Sequence, residues 1–547
     1  MKWKNIFKKI LPGKKTKTYD MEDLDIDERE NKIEQLKINN NLKTNVENIR
    51  SLFGKSFDLS VRNIELGKGK IPASLVFMAG LSDTQAIEEI LEALQLKLLK
   101  VNLSEKKGLV KKGNMFEDMV KRALNNKDIL LTEEMDIILK NITIGSAVIL
   151  VDGMDKAIVC ETKGFQFRNI SEPEAEIVLR GPRDGFVENI FTNTALIRQR
   201  IRVPHLWFQN YEMGSLSKIN VAIAYIKGLA SEELVEEVKS RLERIDIDAV
   251  LESGYIEEYL KDEVFTIFPL IKRTERPDKV VSCLLEGKIA ILTEGTPFVL
   301  IMPYTFTMFL QAADDYYETF PVGSFIRLMR FGSYLMSILL PGFYVAVIDF
   351  HSELIPVDLL LRIASTKEGV PFPLIIEALL METIFEVLRE AGLRLPKAIG
   401  SAISIVGALI LGEAAINAGL ASPPMIVIVA LTAIASFTVP DFAFGITARL
   451  LRFVFLLLGG SLGLFGIQFG IIFILIHLCT LRSFGQPYFQ PFGPLVWQDL
   501  KDSFVRVPWW SFILRPKLIG GREPQRQKKN QNPEPPVSNK DEHKDEE

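Results

Sequence analysis

Two long uncharged stretches in the C-terminal half constrain this chain more than any other feature. Residues 399–440 contain a single Asp, Glu, Lys or Arg side chain, Glu413, and residues 453–479 contain none. A helix needs about 20 apolar residues to cross the hydrocarbon core of a bilayer. The first stretch is therefore long enough for two spans, divided near residues 417–424, and the second for one tilted span. The sequence predicts a membrane domain.

Composition separates a charge-rich N-terminal part, ending near residue 285, from the apolar part that follows. A chain of 547 residues has room for two soluble lobes besides a membrane domain. The net charge of −4 gives no reason to expect nucleic-acid binding. The N-terminus has no uninterrupted apolar run before a cleavage site, so a signal peptide is not indicated and the N-terminal half is predicted to stay cytoplasmic.

Both ends of the chain are predicted to be mobile, because they are rich in charged and Asn side chains and poor in large apolar ones. Residues 1–45 form a basic N-terminal tail. Its first eleven residues suit either a helix lying on anionic membrane lipid or a frayed basic tail. Residues 481–547 form a C-terminal tail, predicted to be disordered from about residue 521.

The charged half repeats itself at a period near 145 residues. Residues 75–94 and 221–242 each read as an apolar strand, a Gly-Leu turn and an amphipathic helix, and aligning Gly80 with Gly228 also matches Leu94 with Leu242. This repetition predicts two similar α/β lobes, at 46–165 and 166–302.

Residues 289–310 have two opposed interpretations. Their hydropathy suits a first transmembrane helix, but Glu294, Gly295 and Pro297 at the centre fit a turn between two strands better. Residues 147–159 have the same pattern of two apolar runs around an acidic residue and Gly. The hairpin is the favoured interpretation.

The sequence thus predicts a multidomain membrane protein, with a cytoplasmic α/β N-terminal half of two similar lobes followed by an α-helical transmembrane domain at 303–480. About five spans are expected there. The candidate spans are residues 331–350, 371–389, 399–420, 424–440 and 453–479.

The second candidate span is unusual because it is amphipathic. Glu382, Glu386 and Arg389 recur at helical spacing on one face. Charged groups are costly in lipid, so this face is predicted to line a pore or an interface at least as readily as to contact lipid.

Basic residues beside the spans indicate orientation. Arg389, Arg394 and Arg449 precede spans on the side predicted to be cytoplasmic, whereas the uncharged connection at 417–424 is predicted to face outward. The tail after residue 480 is also basic and would prefer the inside. Five spans from a cytoplasmic N-terminus place it outside, and this parity conflict cannot be resolved from the sequence.

The most conspicuous motif in the charged half is a Gly/Pro loop that leads into a predicted helix. It contains Arg180, Gly181, Pro182 and Arg183. Such a loop before a helix N-terminus can hold a phosphate. It has neither a Walker A sequence nor a GxGxxG motif, so a charged hinge packed on a neighbouring lobe or subunit is the favoured interpretation.

No catalytic or metal-binding constellation is visible in the sequence. The four histidines are scattered, and Cys160, Cys283 and Cys479 show no CxxC or Cys/His clustering. The chain is therefore predicted to be no enzyme and to hold no metal or cofactor.

A helical wheel of residues 399–420 collects small side chains on one face. Such a face lets helices approach closely or lines a narrow pore, and plain packing is the commoner reason for it. The members of this small-residue face are Gly400, Ser401, Ser404, Ala408, Gly412 and Ala415.

The same helix carries an intramembrane polar pair, Glu413 and Asn417, on its bulkier flank. A polar pair in lipid suggests a functional role or a hydrogen bond across a subunit interface. In the last span, two GxxxG pairs, Gly459 with Gly463 and Gly466 with Gly470, predict tight helix association.

From about residue 46 to 497, the chain resembles the A-subunit family of bacterial spore nutrient germinant receptors of the GerA type. The resemblance rests on motifs that occur in the family's order. They are RGPRDGF, LIRQRI, FPLIKRTERPDKV, LLEGKIAILTEGTPFVLIMP, QAADDYYE, EGVPFP, EAGLRLPKAIGSAISIVGALILGEAAINAGL and PDFAFGITARLLRF.

The resemblance implies a receptor complex in the inner membrane of a dormant spore. It implies two partners, a permease-like B subunit that binds the nutrient and a lipoprotein C subunit. It further implies that the A subunit forms a homo-oligomer whose membrane domain passes ions, so that nutrient binding releases monovalent cations and starts germination.

Two alternatives stay open at this point. One is a scaffold paralogue of the same family that senses no nutrient. The other is a secondary transporter, although the inverted repeats typical of transporters are not found. The sequence does not name the nutrient, the subunit number or the ion selectivity.

Overall fold

The computed structural model describes residues 26–66, 71–99, 129–164, 172–173, 175–394, 412–517 and 523–533. Two five-stranded antiparallel sheets make up the core of the N-terminal half, and the C-terminal half is helical. The α/β part followed by a helical part is what the sequence predicts.

The first sheet has the strand order β1-β2-β4-β5-β3 and is antiparallel at every pairing. Both faces of the sheet are covered by helices, which is why the central strands are continuous apolar runs. The strands are β1 (Leu59–Leu66), β2 (Ile71–Met78), β3 (Ile129–Thr132), β4 (Ala147–Val151) and β5 (Ala157–Cys160).

Among the described residues, four helices surround the first sheet. One face is packed by Ile87 and Ile90, and the other by Ile33, Ile49 and Ile138. The helices are α1 (Ile26–Gln35), α2 (Leu42–Leu52), α3 (Thr84–Leu99) and α4 (Met135–Ile144).

The prediction of a mobile tail up to residue 45 is wrong for its last twenty residues. Helix α1 and the start of α2 fall within it, and Ile33, Ile38 and Leu42 are buried against the first sheet. These few apolar side chains anchor a segment whose average composition is polar. Residues 1–25, including the basic segment that could lie on lipid, are outside the described residues.

The second sheet has the order β6-β7-β9-β10-β8, which repeats the order of the first sheet strand for strand. A Gly with positive φ follows the second strand of each sheet, Gly80 (φ 83°) and Gly228 (φ 96°). The strands are β6 (Leu206–Met213), β7 (Ile219–Ile226), β8 (Lys272–Thr274), β9 (Ile289–Thr293) and β10 (Val299–Met302).

Four further helices accompany the second sheet. Val235 and Val238 pack on one face of it, and Ile197 and Leu284 on the other. These helices are α5 (Ile190–Arg200), α6 (Glu232–Glu243), α7 (Ser253–Leu260) and α8 (Pro277–Leu284).

Residues 289–302 form the hairpin that the sequence favours over a transmembrane helix. Ile291 of β9 lies opposite Leu300 of β10, and Gly295 supplies the positive φ of 88° in the turn. Because both strands lie inside the second sheet, all of their residues are buried. Burial in a sheet explains the membrane-like hydropathy of this segment.

In the described part of the C-terminal half there are six α-helices and a helical segment at residues 412–417. Two of them, α10 and α14, are long and apolar enough to cross a membrane by length and composition. The helices are α9 (Asp314–Tyr317), α10 (Phe320–Phe350), α11 (Val357–Lys367), α12 (Leu374–Arg394), α13 (Pro423–Phe437) and α14 (Phe442–Thr480).

Helix α14 reverses direction at Gly463, which has φ 61° and ψ −146°. A Cβ atom on Gly470 would lie 2.7 Å from the ring of Phe455, although the two residues are fifteen positions apart. The two arms, residues 442–462 and 464–480, therefore run antiparallel. At 1.5 Å per residue they are about 30 and 25 Å long.

The prediction of one tilted span at 453–479 is thus wrong. The sequence suggests a GxxxG pair at Gly459 and Gly463. Gly459 packs closely on α10, because its Cβ would lie 2.4 Å from the carbonyl oxygen of Gly342. A Cβ on Gly463 would also lie 2.9 Å from Phe350 of α10, but Gly463 in addition forms the turn, which needs positive φ.

Beyond the reversal, the C-terminal tail returns to the second sheet. Ser483 Oγ accepts a hydrogen bond from Tyr304 N at 3.1 Å, and Tyr488 O accepts one from Phe306 N at 2.9 Å, both in the segment that follows β10.

The prediction of disorder from about residue 521 also needs correction. Residues 523–533 are described, and Arg515 N donates to Pro524 O at 2.8 Å, beside a bridge between Leu514 and Gln525. Backbone hydrogen bonds to the preceding segment hold this part, in spite of its polar composition. Residues 518–522 and 534–547 are outside the described residues.

Candidate functional site

The predicted Gly/Pro loop at residues 180–183 does not form an anion site. Arg180 and Arg183 have side chains that are 68% and 70% exposed, and each is paired with a different carboxylate. Helix α5 begins only at Ile190 and is capped by Asn189, so neither arginine lies at its N-terminus. The loop packs instead on the start of the helical half.

Two contacts position the loop, one to Arg276 at the start of α8 in the α/β part and one to Tyr317 of α9 in the helical half. Pro182 O accepts a hydrogen bond from Arg276 Nη2 at 3.0 Å, and a Cβ atom on Gly181 would lie 2.6 Å from the ring of Tyr317. Gly181 has φ 137°, so its position suits only glycine. The hinge interpretation therefore describes this loop better than the phosphate interpretation.

The two sheets are joined by Arg198 of α5, which lies in the LIRQRI motif. Its guanidinium pairs with the carboxylate of Asp58, just before β1, and donates to Ser56 Oγ at 3.1 Å. It also donates to Leu206 O at 3.1 Å and faces the rings of Phe53 and Phe208. Both charged side chains are 1% exposed, so this pair fixes one sheet on the other.

The second sheet is bonded to the helical half by three charged residues, named here the junction site, of which Lys272 and Asp441 are buried and Glu176 is slightly exposed. Lys272 of β8 places its Nζ atom 2.5 Å from Glu176 Oε1 and 2.6 Å from Asp441 Oδ2. Asp441 is the N-cap of α14 and accepts a hydrogen bond from Phe444 N at 2.7 Å. One ammonium group therefore holds the edge of the sheet against the first turn of α14.

Electrostatics reinforce the junction site. Burial alone would lower the pKa of Lys272, but the carboxylates of Glu176 and Asp441 outweigh it and raise this pKa. Burial would likewise raise the pKa of Glu176, but the Lys272 ammonium outweighs it, with help from Lys279, and the net shift lowers the pKa. Both shifts favour the charged forms of Lys272 and Glu176 at neutral pH.

The open end of the α14 hairpin touches the loop that precedes β8 at two points. Thr447 Oγ1, in the first arm, donates to Ile267 O at 2.6 Å. His477, in the second arm, lies 3.1 Å from Thr266 Oγ1 and beside the ring of Phe268. Consecutive residues of the α/β part thus contact both arms of the hairpin.

A second group of charged residues lies wholly inside the helical half. The helical charge cluster consists of Glu382 and Glu386 of α12 with Arg449 and Arg452 of α14. Arg452 Nη1 is 2.7 Å from Glu382 Oε2, and both side chains are 0% exposed. Arg449 Nη1 is 3.0 Å from Glu386 Oε2. The cluster therefore joins α12 to the first arm of α14.

The cluster is incompletely satisfied. Arg452 Nε donates to Ser337 O of α10 at 2.8 Å, but Glu382 Oε1 and Arg452 Nη2 are buried and have no hydrogen-bond partner among the described residues. A buried ionic network with unused donors and acceptors is costly, and such networks concentrate at functional sites.

The predicted polar face of α12 is present in the structure. Arg389 donates to Ser436 Oγ of α13 at 3.1 Å and faces the ring of Phe437, while Glu382 and Glu386 contact α14. This face looks into the bundle of helices. The sequence analysis interprets Arg449 only as an orientation signal and does not identify Arg449 and Arg452 as the ionic partners of this face.

A third buried group of charges lies where the helical half begins. Asp315, 0% exposed at its side chain, accepts from Arg327 Nε at 3.1 Å and from both Nη atoms of Arg330. Arg327 also reaches Asp502 of the C-terminal tail at 2.7 Å. The start of α10 is thereby tied to the tail.

The small-residue face lies mostly outside the described residues. Gly400, Ser401, Ser404 and Ala408 fall in the undescribed segment 395–411. Its last two members are described. Ala415 is buried in a cluster with Val345, Leu374 and Leu456, and a Cβ atom on Gly412 would lie 3.8 Å from Ile426. These two pack inside the helical half.

The intramembrane polar pair is exposed. Glu413 and Asn417 both lie on the surface of the segment 412–417, next to Ile416, which is 39% exposed. Helix α11 has no buried residue at all, although Val357 and Leu361 are among its exposed apolar side chains. Both surfaces are therefore uncovered in the single chain.

Sequence reasoning missed the junction site and the pairing of Arg198 with Asp58. Lys272 is 96 residues from Glu176 and 169 residues from Asp441 along the chain, so no local spacing connects them. One signal was available: Lys272 lies in a short strand of charged residues between apolar segments. A lysine in the sheet of a protein core needs a buried partner.

The fold and these contacts define a class of protein in which an α/β module of two like sheets is joined by buried ion pairs to helices of membrane-spanning length. Residues 47–518 match the family model described as Bacillus/Clostridium GerA spore germination protein. The chain belongs to this family.

Relatives match over nearly the whole chain. Spore germination protein KA of Bacillus subtilis (strain 168) is 42% identical over 502 residues, which cover 92% of this chain and 91% of that protein. Uncharacterized membrane protein YfkQ of the same organism is 41% identical over 92% of this chain and 96% of its own length. Spore germination protein GerLA of Bacillus cereus is 37% identical, with 88% and 96% covered.

One solved structure is also similar, the N-terminal domain of the A subunit of the Bacillus megaterium spore germinant receptor GerK3. It is 32% identical and covers 50% of this chain and 98% of its own, with a TM-score of 0.39.

Proposed function

We propose that this chain is the A subunit of a nutrient germinant receptor in the inner membrane of a spore. The match of residues 47–518 to the GerA family carries the proposal. In this proposal, the two sheets lie in the cytoplasm and are similar lobes of one module. The helical half, which includes two helices of spanning length and composition, crosses the membrane.

We further propose that several copies of the chain assemble and conduct monovalent cations. The exposed Glu413 and Asn417 support assembly, since a carboxylate and an amide on an apolar surface are costly in lipid. A subunit interface or a water-filled pore removes that cost. Helix α11, with its exposed apolar side chains, offers a second surface for a neighbouring copy.

The junction site and the open end of the hairpin support a coupling role. A rearrangement of the second sheet moves Lys272, and Lys272 is bonded to the first turn of α14. Partners are proposed to be a permease-like B subunit, which takes up the nutrient signal, and a lipoprotein C subunit. In this proposal the chain is a receptor subunit and not an enzyme.

The proposal is tested by cation flux from liposomes that contain the purified protein, alone and with its B and C partners, before and after candidate nutrients are added. Flux that needs the partners and a nutrient supports a gated receptor subunit. Absence of flux from verified oligomers under all of these conditions contradicts the channel.

Substitutions in the small-residue face and the polar pair localise the conduction path. Ser404→Leu and Ala408→Leu are expected to obstruct assembly or conduction, and Glu413→Gln to alter gating or ion preference. Gly332→Ala in α10 is a matched control, because its Cβ meets no atom within 4 Å. Normal flux in both Leu variants contradicts the pore assignment.

A second candidate function is a scaffold role within the same family. It is favoured by one observation, the 41% identity to a relative described only as an uncharacterized membrane protein. The flux experiment separates the two: assembled protein that restores germination in cells without conducting supports the scaffold. Concentrative uptake of a substrate would instead support the transporter.

A further inference from the structure

Three apolar side chains project from the loop between α7 and β8, at residues 261–271. Val264, Phe265 and Ile267 are all exposed, and Phe265 is 94% exposed. They are named here the apolar tip. A single exposed apolar side chain is ordinary on a protein surface, but a group of them marks a surface that something else covers. Tyr259, at the end of α7, is exposed as well.

The backbone on both sides of the apolar tip is held in place. Before it, the carboxylate of Asp262 pairs with Arg241 at 2.5 Å and accepts a hydrogen bond from Gly485 N at 3.3 Å. After it, Phe268 is buried in the core of the second sheet and its backbone N donates to Thr266 Oγ1 at 3.2 Å. The exposure of the tip therefore belongs to a fixed loop.

The apolar tip lies at the open end of the α14 hairpin. Its neighbours in the loop, Thr266 and the backbone of Ile267, contact His477 and Thr447, which lie within two turns of the two ends of α14. Four residues before His477, on the same face of the helix, Phe473 is 73% exposed. The exposed apolar surface of the hairpin thus begins one turn beyond its contact with this loop.

The charges around the apolar tip do not supply an attraction to anionic lipid. Glu258 and Glu263 are exposed on either side of Lys261, and Lys261 is itself paired with Glu257 at 3.1 Å. A contact made by this loop therefore depends on its apolar and aromatic side chains. Aromatic side chains are enriched where a membrane protein passes from lipid to water.

We propose that the apolar tip inserts into the headgroup region of the lipid leaflet on the side of the two sheets. The lipid covers Val264 and Phe265, in continuity with the exposed faces of the α14 hairpin. Because the same loop is bonded to both arms of the hairpin, the lipid contact fixes the open end of the hairpin at the membrane surface. This inference rests on the proposed function in one respect, that the helical half crosses the membrane.

The test is photo-crosslinking of the full chain in nanodiscs made of equal parts of phosphatidylethanolamine and phosphatidylglycerol. Phe265, Phe473 and Leu216 are replaced, one at a time, by p-benzoylphenylalanine, and the adducts are identified by mass spectrometry. Position 473 reports whether the hairpin lies in lipid at all. Position 216 is the matched control, because Leu216 is 81% exposed in the turn between β6 and β7.

That turn lies at the far end of the second sheet. Lys272, which follows the loop of the apolar tip, is in register with Ile301, Ala290 and Ala224 across the sheet. Strand β7 begins five residues before Ala224, at Ile219, and this distance is about 17 Å along the strand. An exposed apolar side chain in the turn is therefore expected to face water.

Lipid adducts are expected at positions 265 and 473 and none at position 216. Lipid adducts at 473 without any at 265 overturn the insertion of the apolar tip and leave the membrane placement of the helices intact. If position 265 then gives adducts to a second copy of the chain, the tip is an interface between copies. Absence of lipid adducts at 473 contradicts the membrane placement and this proposal with it.

A nitroxide label measures the depth independently. Val264→Cys is labelled in a Cys479→Ser background, in which the remaining native cysteines, Cys160 and Cys283, are buried. The label is expected to lie about 5–10 Å deep at the boundary of headgroups and acyl chains, and thus to be relaxed more by oxygen than by a water-soluble nickel chelate. Leu216→Cys is expected to show the reverse. Stronger relaxation by the chelate at position 264 overturns the proposal, as does loss of the oxygen effect when phosphatidylcholine replaces both lipids.

Discussion

The two sheets share a strand order but differ in what their edge strands contact. The edge strands β3 and β8 can be aligned through their partner strands β5 and β10. Leu130 of β3 pairs with Val159, the third residue of β5, and Lys272 of β8 pairs with Ile301, the third residue of β10. Leu130 and Lys272 therefore occupy corresponding positions. Leu130 is 48% exposed, whereas Lys272 is 2% exposed and bonded to α14 through Asp441. Thr132 and Thr274 correspond to each other two residues further along.

This difference shows how a repeated fold acquires a directed contact. Both edge strands have unpaired backbone groups that need cover. In the first sheet, Leu130 of the edge strand β3 is exposed at the surface. The second sheet places a buried ammonium at the corresponding position, between a carboxylate of its own connection, Glu176, and the N-cap of α14. One position in the repeat thus supplies a buried ionic contact to the helical half.

The largest effect is expected inside the helical half, in the pair that is wholly buried. Arg452→Met leaves the Glu382 carboxylate without its cation and is expected to destabilise the helical half by about 3–5 kcal/mol. The measurement is unfolding in mixed detergent micelles followed by circular dichroism. If this variant is as stable as the wild type, the buried ion pair contributes no more to stability than a surface ion pair does.

The double variant Glu382→Leu with Arg452→Met sharpens the result. Removing both charges replaces the pair by apolar groups, so most of the lost stability is expected to return. As a matched control, Arg394→Met removes an exposed pair with Glu390 and is expected to change stability by less than about 1 kcal/mol. Equal losses in the single and double variants would show that packing, not charge, holds α12 to α14.

The next effect compares the two sheets directly. Lys272→Met leaves Glu176 and Asp441 without a cation and is expected to destabilise the α/β part by about 3 kcal/mol, since the Glu176 side chain is slightly exposed. Leu130→Met, at the corresponding position, is expected to stay within about 0.5 kcal/mol. Urea unfolding followed by Trp207 fluorescence measures both.

The effect of Lys272→Met should depend on pH. The pKa of Glu176 is lowered from its usual 4.5, so its contribution is fully present above pH 4.5 and is lost as the pH falls through the pKa of the folded protein. The pKa of Lys272 is raised from its usual 10.5, so its contribution is fully present below pH 10.5 and is lost at higher pH. The difference from wild type is therefore expected to be constant between these values and to shrink below pH 4.5; a difference that grows in acid contradicts the ion pair.

Much of the fold could be predicted because its signals are local. The repeat is visible as strand, glycine turn and helix within about 20 residues, and the β9–β10 turn is marked by Glu294, Gly295 and Pro297. The reversal of α14 could not be predicted in the same way. The sequence around Gly463 is that of an apolar helix with a small residue. It does not show whether the glycine packs against another helix or adopts a positive φ in a turn.

The candidate site was less predictable because its contacts are distant in sequence. The polar face of α12 follows from the spacing of Glu382, Glu386 and Arg389, but its partners lie more than sixty residues further on. Arg449 fits an orientation signal and an ionic partner equally well. Only the packing of α12 on α14 distinguishes these roles.

A smaller effect tests the reversal itself. Gly463→Ala is expected to cost about 1–3 kcal/mol, because φ is 61° and the new Cβ would lie 2.9 Å from Phe350 and His351. Gly445→Ala, in the same helix with no atom within 4 Å of its Cβ, is expected to be neutral or stabilising by up to about 1 kcal/mol. The same detergent unfolding measures both. A stabilising Gly463→Ala would indicate one continuous helix.

The smallest effect on stability is expected for an exposed arginine, Arg183, which is compared with the buried Arg198 of the same sequence region. Arg183 pairs with Glu172 at 3.3 Å in an exposed setting, while Arg198, fifteen residues on, pairs with Asp58 where both are buried. Arg183→Ala is expected to change stability by less than about 0.5 kcal/mol, and Arg198→Met by several times more, because only Arg198 leaves a carboxylate buried without its cation. Urea unfolding of both variants measures the contrast, and equal effects would mean that the exposed loop, rather than the buried pair, joins the two sheets.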